Sequence, residues 1–329
     1  VDLVQEEYHH QSIAVRRYFF ISIYLLVLAG CGNALEKKLD ALPADAILEI
    51  ATYDGSGQLV HPDILFHNDT FYLATTPYPF YNDKLENPCF YKSTDGINFT
   101  ELSPGLNPLV PTPAYDHNDD PDLLFDSVSN EFQIYYLETM RPDSQNVILL
   151  TSKTGRTWKK QTALHYNLSQ GEIFILSPAV IRGRDNTERM FYVVKGDSTN
   201  HIEFIEKKQT WEKTAVQKIQ IYYPENFTPW HLDVLKDEQH YYLLCNGFYG
   251  NPASFEESKG KYTLLLFQSD DLMEWKFVNT LLDCTDIGND CHYVYRATGL
   301  VSDNTLALWY SYVTSEQTWR IGVKKIPLL

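Results

Sequence analysis

The sequence predicts an all-β chain folded as a five-bladed β-propeller, and three observations carry that expectation. Helical periodicity is almost absent, whereas alternating or apolar runs of four to eight residues, bounded by Asn, Asp, Gly and Pro, recur throughout. One pentad returns along the chain: HPDIL at 61–65, DPDLL at 120–124, SPAVI at 177–181, HLDVL at 231–235 and RATGL at 296–300. Aromatic residues make up 14% of the 329, with 23 Tyr, 17 Phe and 6 Trp, which fits a packed β-rich globule and not a disordered chain.

Each pentad opens a longer unit. The first runs VHPDILFHNDTFYLATTPYP and then FYKSTDGINFTEL; the fourth runs WHLDVLKDEQHYYLLCNGF and then TLLLFQSDDLMEWKF. Every unit reads as an apolar strand, a polar turn, a Tyr- or Trp-rich strand, a variable loop, a third strand and a turn before an aromatic. Four antiparallel strands repeated at intervals of several tens of residues describe a propeller blade. The fifth unit stops before a fourth strand. The segment Ala46 to Tyr53, AILEIATY, is expected to supply it and so avoid a bare sheet edge. A β-sandwich would not account for the recurring pentad.

The first residues read differently. Arg16-Arg17 precede the apolar run Phe19 to Gly30, short for a membrane span but right for the core of a signal peptide. The run ends in Leu28-Ala29-Gly30-Cys31, which resembles the bacterial lipobox. Residues 1–30 are therefore expected to be a lipoprotein signal peptide whose true start lies near Val15, with a buried helix or short anchor as the alternative. Cys31 would carry the lipid, 31–46 would be a tether and 47–329 the propeller, exported and anchored in the bacterial cell envelope. Of the other four cysteines, Cys284 and Cys291 are close enough to close a small loop in an oxidising compartment, the alternative being free buried thiols.

A formal net charge of −16 argues against a non-specific grip on nucleic acid, and neither a Gly-rich phosphate loop nor a CxxC metal pair occurs. In a propeller the first strand of each blade lines the axis, so the pentads form a funnel. Asp63, Asp122, Ala179, Asp233 and Thr298 are equivalent positions. Two residues earlier stand His61, Asp120, Ser177, His231 and Arg296, expected on the same face because i and i+2 share one side of a strand. Second-strand loops add Tyr78, Glu86, Glu138, Arg141 and Lys195, with Glu172, Trp230 and His292 close to first strands. Carboxylates, a few cations and flat rings suit sugar hydroxyls and pyranose faces.

The five units, Asp63 and Asp122, and the turns Ser93 to Phe99 and Ser269 to Trp275 resemble the five-bladed propeller glycoside hydrolases, family 43 and its clan relatives, over roughly 47–329. The resemblance implies a hydrolase in which Asp63 is the general base and Asp122 tunes and orients. The family's acid, a Glu just ahead of the third blade's Ala-Pro or Ser-Pro, has no match in Ile175-Leu176-Ser177-Pro178-Ala179. Glu86, Glu172 and Asp233 are the candidates to replace it, since crowded carboxylates in a dry funnel raise one another's pKa.

His61, Tyr78, Asp120, Glu138, Arg141, Lys195, Trp230, His231, His292 and Arg296 are the candidate substrate contacts. Plainer roles stand beside these: mutual hydrogen bonding at the axis, inter-blade packing for Tyr78 and Trp230, and a counter-ion role for Arg296. A metal held by His61, His231 and His292 lacks diagnostic spacing, so neither metal nor cofactor is expected. The expected partner is an oligo- or polysaccharide, with membrane contact only through the lipid, for a monomeric protein. A glycan-binding propeller without catalysis and a glycoside phosphorylase are the alternative functions.

Overall fold

The computed structural model describes residues 34–197, 199–214, 216–250 and 262–328. The expected signal peptide and Cys31 lie outside these. Residues 34–41, expected in the tether, form a helix. From residue 42 onward the described chain is one compact unit of β-strands.

Among the described residues, five sheets follow one another. Blade one is β2 (Leu59–His67), β3 (Thr70–Pro77), β4 (Cys89–Ser93) and β5 (Thr100–Glu101). Blade two is β6 (His117–Asp126), β7 (Glu131–Met140), β8 (Ser144–Ser152) and β9 (Lys159–Asn167). Blade three is β10 (Phe174–Arg182), β11 (Glu188–Lys195), β12 (His201–Glu206) and β13 (Val216–Lys218). Blade four joins β15 (Phe227–Lys236), β16 (Tyr241–Tyr249), β17 (Tyr262–Ser269) and β18 (Glu274–Leu282), with β14 (Gln220–Ile221) added in parallel outside β18. Blade five is β19 (Cys291–Ser302), β20 (Thr305–Thr314) and β21 (Trp319–Pro327).

The last blade closes as the sequence predicts, over a shorter span. The strand β1 (Asp45–Leu48) pairs antiparallel with β21, so the early segment completes the sheet made by the end of the chain. Residues 49–58 leave the ladder. First strands touch their neighbours in cyclic order, β2 with β6, β6 with β10, β10 with β15, β15 with β19 and β19 with β2, which makes the ring.

Apolar side chains fill the wedges between blades. Phe191, Leu243, Phe267 and Trp275 belong to one such core, and Tyr135, Tyr192, Val147 and Met190 to the next. The turns before the aromatics share one wiring. Ser93 Oγ accepts from the N–H groups of Asp95 and Gly96, and Asp95 Oδ1 accepts from those of Ile97 and Asn98. Ser269 and Asp271 repeat this at 269–274. Gly96 has φ +75° and its carbonyl accepts from Trp309 Nε1, so a side chain there would be strained and would crowd that ring. Cys284 and Cys291 form a disulfide, while Cys89 and Cys245 are free and buried.

Candidate functional site

Every first strand is bulged where the pentad begins. The register slips between Val60 and Asp63, Asp119 and Asp122, Leu176 and Ala179, Pro229 and His231, and Val294 and Ala297. In the first three the residue before proline takes a left-handed backbone, His61 at φ +55°, Asp120 at +50° and Ser177 at +49°. Such residues are strained, and strain of this kind persists only where surrounding structure enforces it. Both sets gather at the axis, where Arg296 reaches Asp120 of one set and Asp63 of the other. The ring of pentads forms two layers: His61, Asp120, Ser177, His231 and Arg296 at the strand starts, and Asp63, Asp122, Ala179, Asp233 and Thr298 beneath. All ten are buried.

The upper layer centres on Asp120. Its Oδ1 lies 3.4 Å from His61 Nε2 and 3.3 Å from His231 Nδ1, and accepts from Arg296 Nη1 at 3.2 Å. Its Oδ2 accepts from the Ser177 N–H at 2.9 Å. Ser177 Oγ meets His231 Nδ1 at 2.6 Å, the same nitrogen that faces Asp120. A nucleophilic serine relay needs the two partners on opposite ring nitrogens, so this trio is not one. Tyr295 closes the ring, its centroid 4.4 Å from His231 and 5.5 Å from His61.

In the lower layer the carboxylates of Asp63, Asp122 and Asp233 come within 4.8 Å of one another. Asp122 Oδ2 accepts from the Val180 N–H, and Arg296 Nη2 stands 3.6 Å from Asp63 Oδ2.

The loop 78–88 and the start of β6 add a third group on the strand-start side. His61 Nδ1 lies 3.6 Å from Glu86 Oε1, and His117 Nε2 lies 3.2 Å from Asp119 Oδ2 and 3.9 Å from Glu86 Oε2. The Asn118 N–H donates to the Glu86 carbonyl, fixing the loop to blade two.

Charge separates these groups. Burial, with Asp233 and Asp122 beside it, raises the Asp63 pKa well above the carboxylate range, and burial with Asp233 pushes Asp122 up to about 8. Burial likewise raises Glu86 well above its ordinary value, with His117 opposing and Asp119 and Asp120 reinforcing. Burial works the same way on Asp120, but His231, His61 and Arg296 outweigh it and hold this carboxyl well below the usual range, ionised. Burial keeps His61 neutral against the pull of Asp120. His117 goes the other way: burial lowers it, yet Asp119, Glu86 and Asp116 together push it up to about 10.

The structure thus gathers Asp63, Asp122, Asp233, His61, Asp120, His231, Arg296 and Glu86. Trp230 flanks them, donating from Nε1 to the Tyr295 hydroxyl, and Tyr78 lies against Tyr81 and Trp319 on the same side. Lys195 lies over Trp230, 5.5 Å from its ring. Arg141 forks onto Asp116. Three expected residues stand apart from the axial cluster. Glu172 is exposed and paired with Lys213, Glu138 is bound to Lys160 and Asn146, and His292 is exposed beside Tyr293. Arg296 is fully buried and faces Asp120 and Asp63, the arrangement of a counter-ion to the axial carboxylates. The sequence reading missed His117 and Asp119. Their signal was the polar run His117-Asn118-Asp119 directly ahead of the second pentad.

His61, Asp120 and His231 also offer two imidazoles and a carboxylate whose atoms lie within 4.8 Å, and Nε2 of each imidazole makes no hydrogen bond within the protein. That donor set suits a divalent transition metal. It differs from the trio with His292 that was weighed from the sequence and set aside.

No protein-family model and no curated protein sequence matches the chain. Solved structures do. An N-acetylgalactosamine deacetylase from F. plautii in complex with blood group B trisaccharide is 20% identical, with a TM-score of 0.73 over 86% of this chain and 94% of that one. A thermostable family-43 glycoside hydrolase is 16% identical, with a TM-score of 0.61 over 83% and 90%. A Cellvibrio cellulosa α-L-arabinanase complexed with arabinohexaose is 14% identical, with a TM-score of 0.56 over 82% and 91%. The fold is therefore the five-bladed β-propeller that these carbohydrate-active enzymes share.

Proposed function

We propose that the protein is a hydrolase acting on a carbohydrate, a glycoside hydrolase in which Glu86 protonates the leaving oxygen. Glu86 itself carries this reading. It is a carboxyl group whose pKa burial raises well above the ordinary value, on the loop at the strand starts, with its oxygen 3.6 Å from His61. It supplies the acid that the third blade lacks. The resemblance gives the water-activating base to Asp63, but Asp63 sits in the lower layer and is pushed toward its protonated form. The ionised carboxylate on the other edge of the His61 ring is Asp120, to which this reading gives the base role. One protonated and one ionised carboxyl group flanking the bond is what glycoside hydrolysis requires.

The test is turnover on a panel of neutral oligosaccharides, with product stereochemistry read by NMR. Glu86→Gln is expected to lower kcat by about 10²–10⁴, the usual weight of a general acid. Asp63→Asn is expected to retain more activity than Asp120→Asn. Wild-type turnover in Glu86→Gln would refute the assignment.

A second reading rests on the two imidazoles and Asp120. These would hold a divalent cation that polarises an acyl carbonyl, and Glu86 would move the proton as an N-acyl group leaves a sugar. The F. plautii deacetylase, similar over most of both chains, supports it. Release of acetate from N-acetylhexosamines, lost on chelation and restored by metal, would favour this reading; release of reducing sugar unaffected by chelation would favour the first.

A further inference from the structure

The loop that carries Glu86 also carries an unusual pair. Phe80 and Tyr81 are consecutive residues other than glycine in the left-handed region, at φ +52° and +60°. Both ends of this turn are anchored. Gln58, itself buried, takes the Tyr78 N–H on its carbonyl and the Phe80 N–H on its side-chain oxygen, and the Asn82 N–H donates to the Pro79 carbonyl. Tyr81 lodges between Tyr78 and Trp319, and its hydroxyl meets that of Tyr293.

Of residues 78–81, only Phe80 is exposed. Phe80 is 69% exposed, while Pro79 before it is buried. Two strained residues and an anchored frame spend stability to keep an apolar ring in water, and a conformation of that cost points to use. The turn lies on the strand-start side: Tyr78 feels the charges of Glu86, Asp83 and Asp119, and Asp83 lies 3.8 Å from His117. An exposed flat apolar face on the loop that carries Glu86 matches the apolar face of a pyranose or furanose ring.

We propose that Phe80 is a stacking platform for a sugar unit next to the one held at the axis, on the leaving-group side, so that the substrate is an oligosaccharide of at least two units. This rests on the proposed glycan-directed reading of the site.

The experiment compares wild type, Phe80→Ala and Phe80→Trp on one neutral oligosaccharide series of two to five units and on the methyl glycoside of the same sugar. Turnover is measured alongside binding by calorimetry. Phe80→Ala is expected to raise KM, or weaken binding, by about tenfold on the oligosaccharides. It should leave the methyl glycoside unchanged, and Phe80→Trp should restore the wild-type value. Equal effects on both ligand types, or no effect on either, would overturn the platform. Glu86→Gln measured in parallel separates the two ideas: loss of turnover with oligosaccharide affinity intact supports the acid, whatever Phe80 does. Should wild type neither bind nor cleave any of the oligosaccharides, the glycan reading and the platform fall together.

Discussion

Nη1 of Arg296 lies 3.2 Å from Oδ1 of Asp120, joining blade five to blade two across the axis. The same guanidinium reaches Asp63 in the layer below at 3.6 Å, and it is fully buried. One cation thus answers for carboxyl groups of several blades. Replacing it with Met would leave the buried Asp120 with only the two imidazoles and the Ser177 N–H to answer its charge. Breaking a buried pair in this way costs about 3–5 kcal/mol. Arg296→Met is accordingly expected to lower the unfolding free energy, read by denaturant titration, by that amount at neutral pH, and Arg296→Met combined with Asp120→Asn to recover part of it. A loss below about 1 kcal/mol, the range of exposed pairs, would contradict the burial.

The lower layer makes stability depend on pH. Asp122 is pushed up to about 8 by burial and Asp233, so the folded chain keeps a proton there that the unfolded chain releases near its ordinary value. The folded state binds more protons between those two values, and stability must fall as pH rises through that window. Thermal unfolding is expected to show this decline from about pH 4 to about pH 8. Asp122→Asn, which retains an oxygen for the Val180 N–H, is expected to flatten it. An unchanged slope in Asp122→Asn would remove Asp122 as its source.

Closure by β1 can be tested by removing it. A chain beginning after Leu48 leaves the outer edge of β21 unpaired, and open edges recruit other edges. The shortened protein is expected to unfold at lower temperature and to self-associate in size-exclusion chromatography. A monodisperse, equally stable product would show that the fifth sheet does not need its fourth strand.

Much of this was legible in the sequence because the pentad repeats. HPDIL and HLDVL aligned blades one and four, the incomplete fifth unit called for a partner, and AILEIATY supplied it. The position of Glu86 was legible too, through its place after a second strand. The axial contacts were not. A period of two puts His61 and Asp63 on one face at successive depths, but the partners each meets across the axis, and the left-handed backbone at His61, are invisible in residue type. His117 and Asp119 were overlooked for a related reason: the strand begins three residues before its pentad, in a run too polar to read as a strand. Glu172, Glu138 and His292 lie near strand ends, and nearness in sequence to the axis does not fix which way a side chain turns.

The pinch at each blade opening has a further meaning. Proline cannot donate to a ladder, so Pro62, Pro121 and Pro178 fall where the ladder is already interrupted. The direction in which residues 61, 120 and 177 are displayed is therefore set by the main chain and not by side-chain packing. Histidine, aspartate and serine occupy three copies of one mounting. Such a ring can exchange its chemistry position by position while the scaffold stays fixed, and the lack of a glutamate just ahead of Ser177-Pro178 does not deprive the site of an acid.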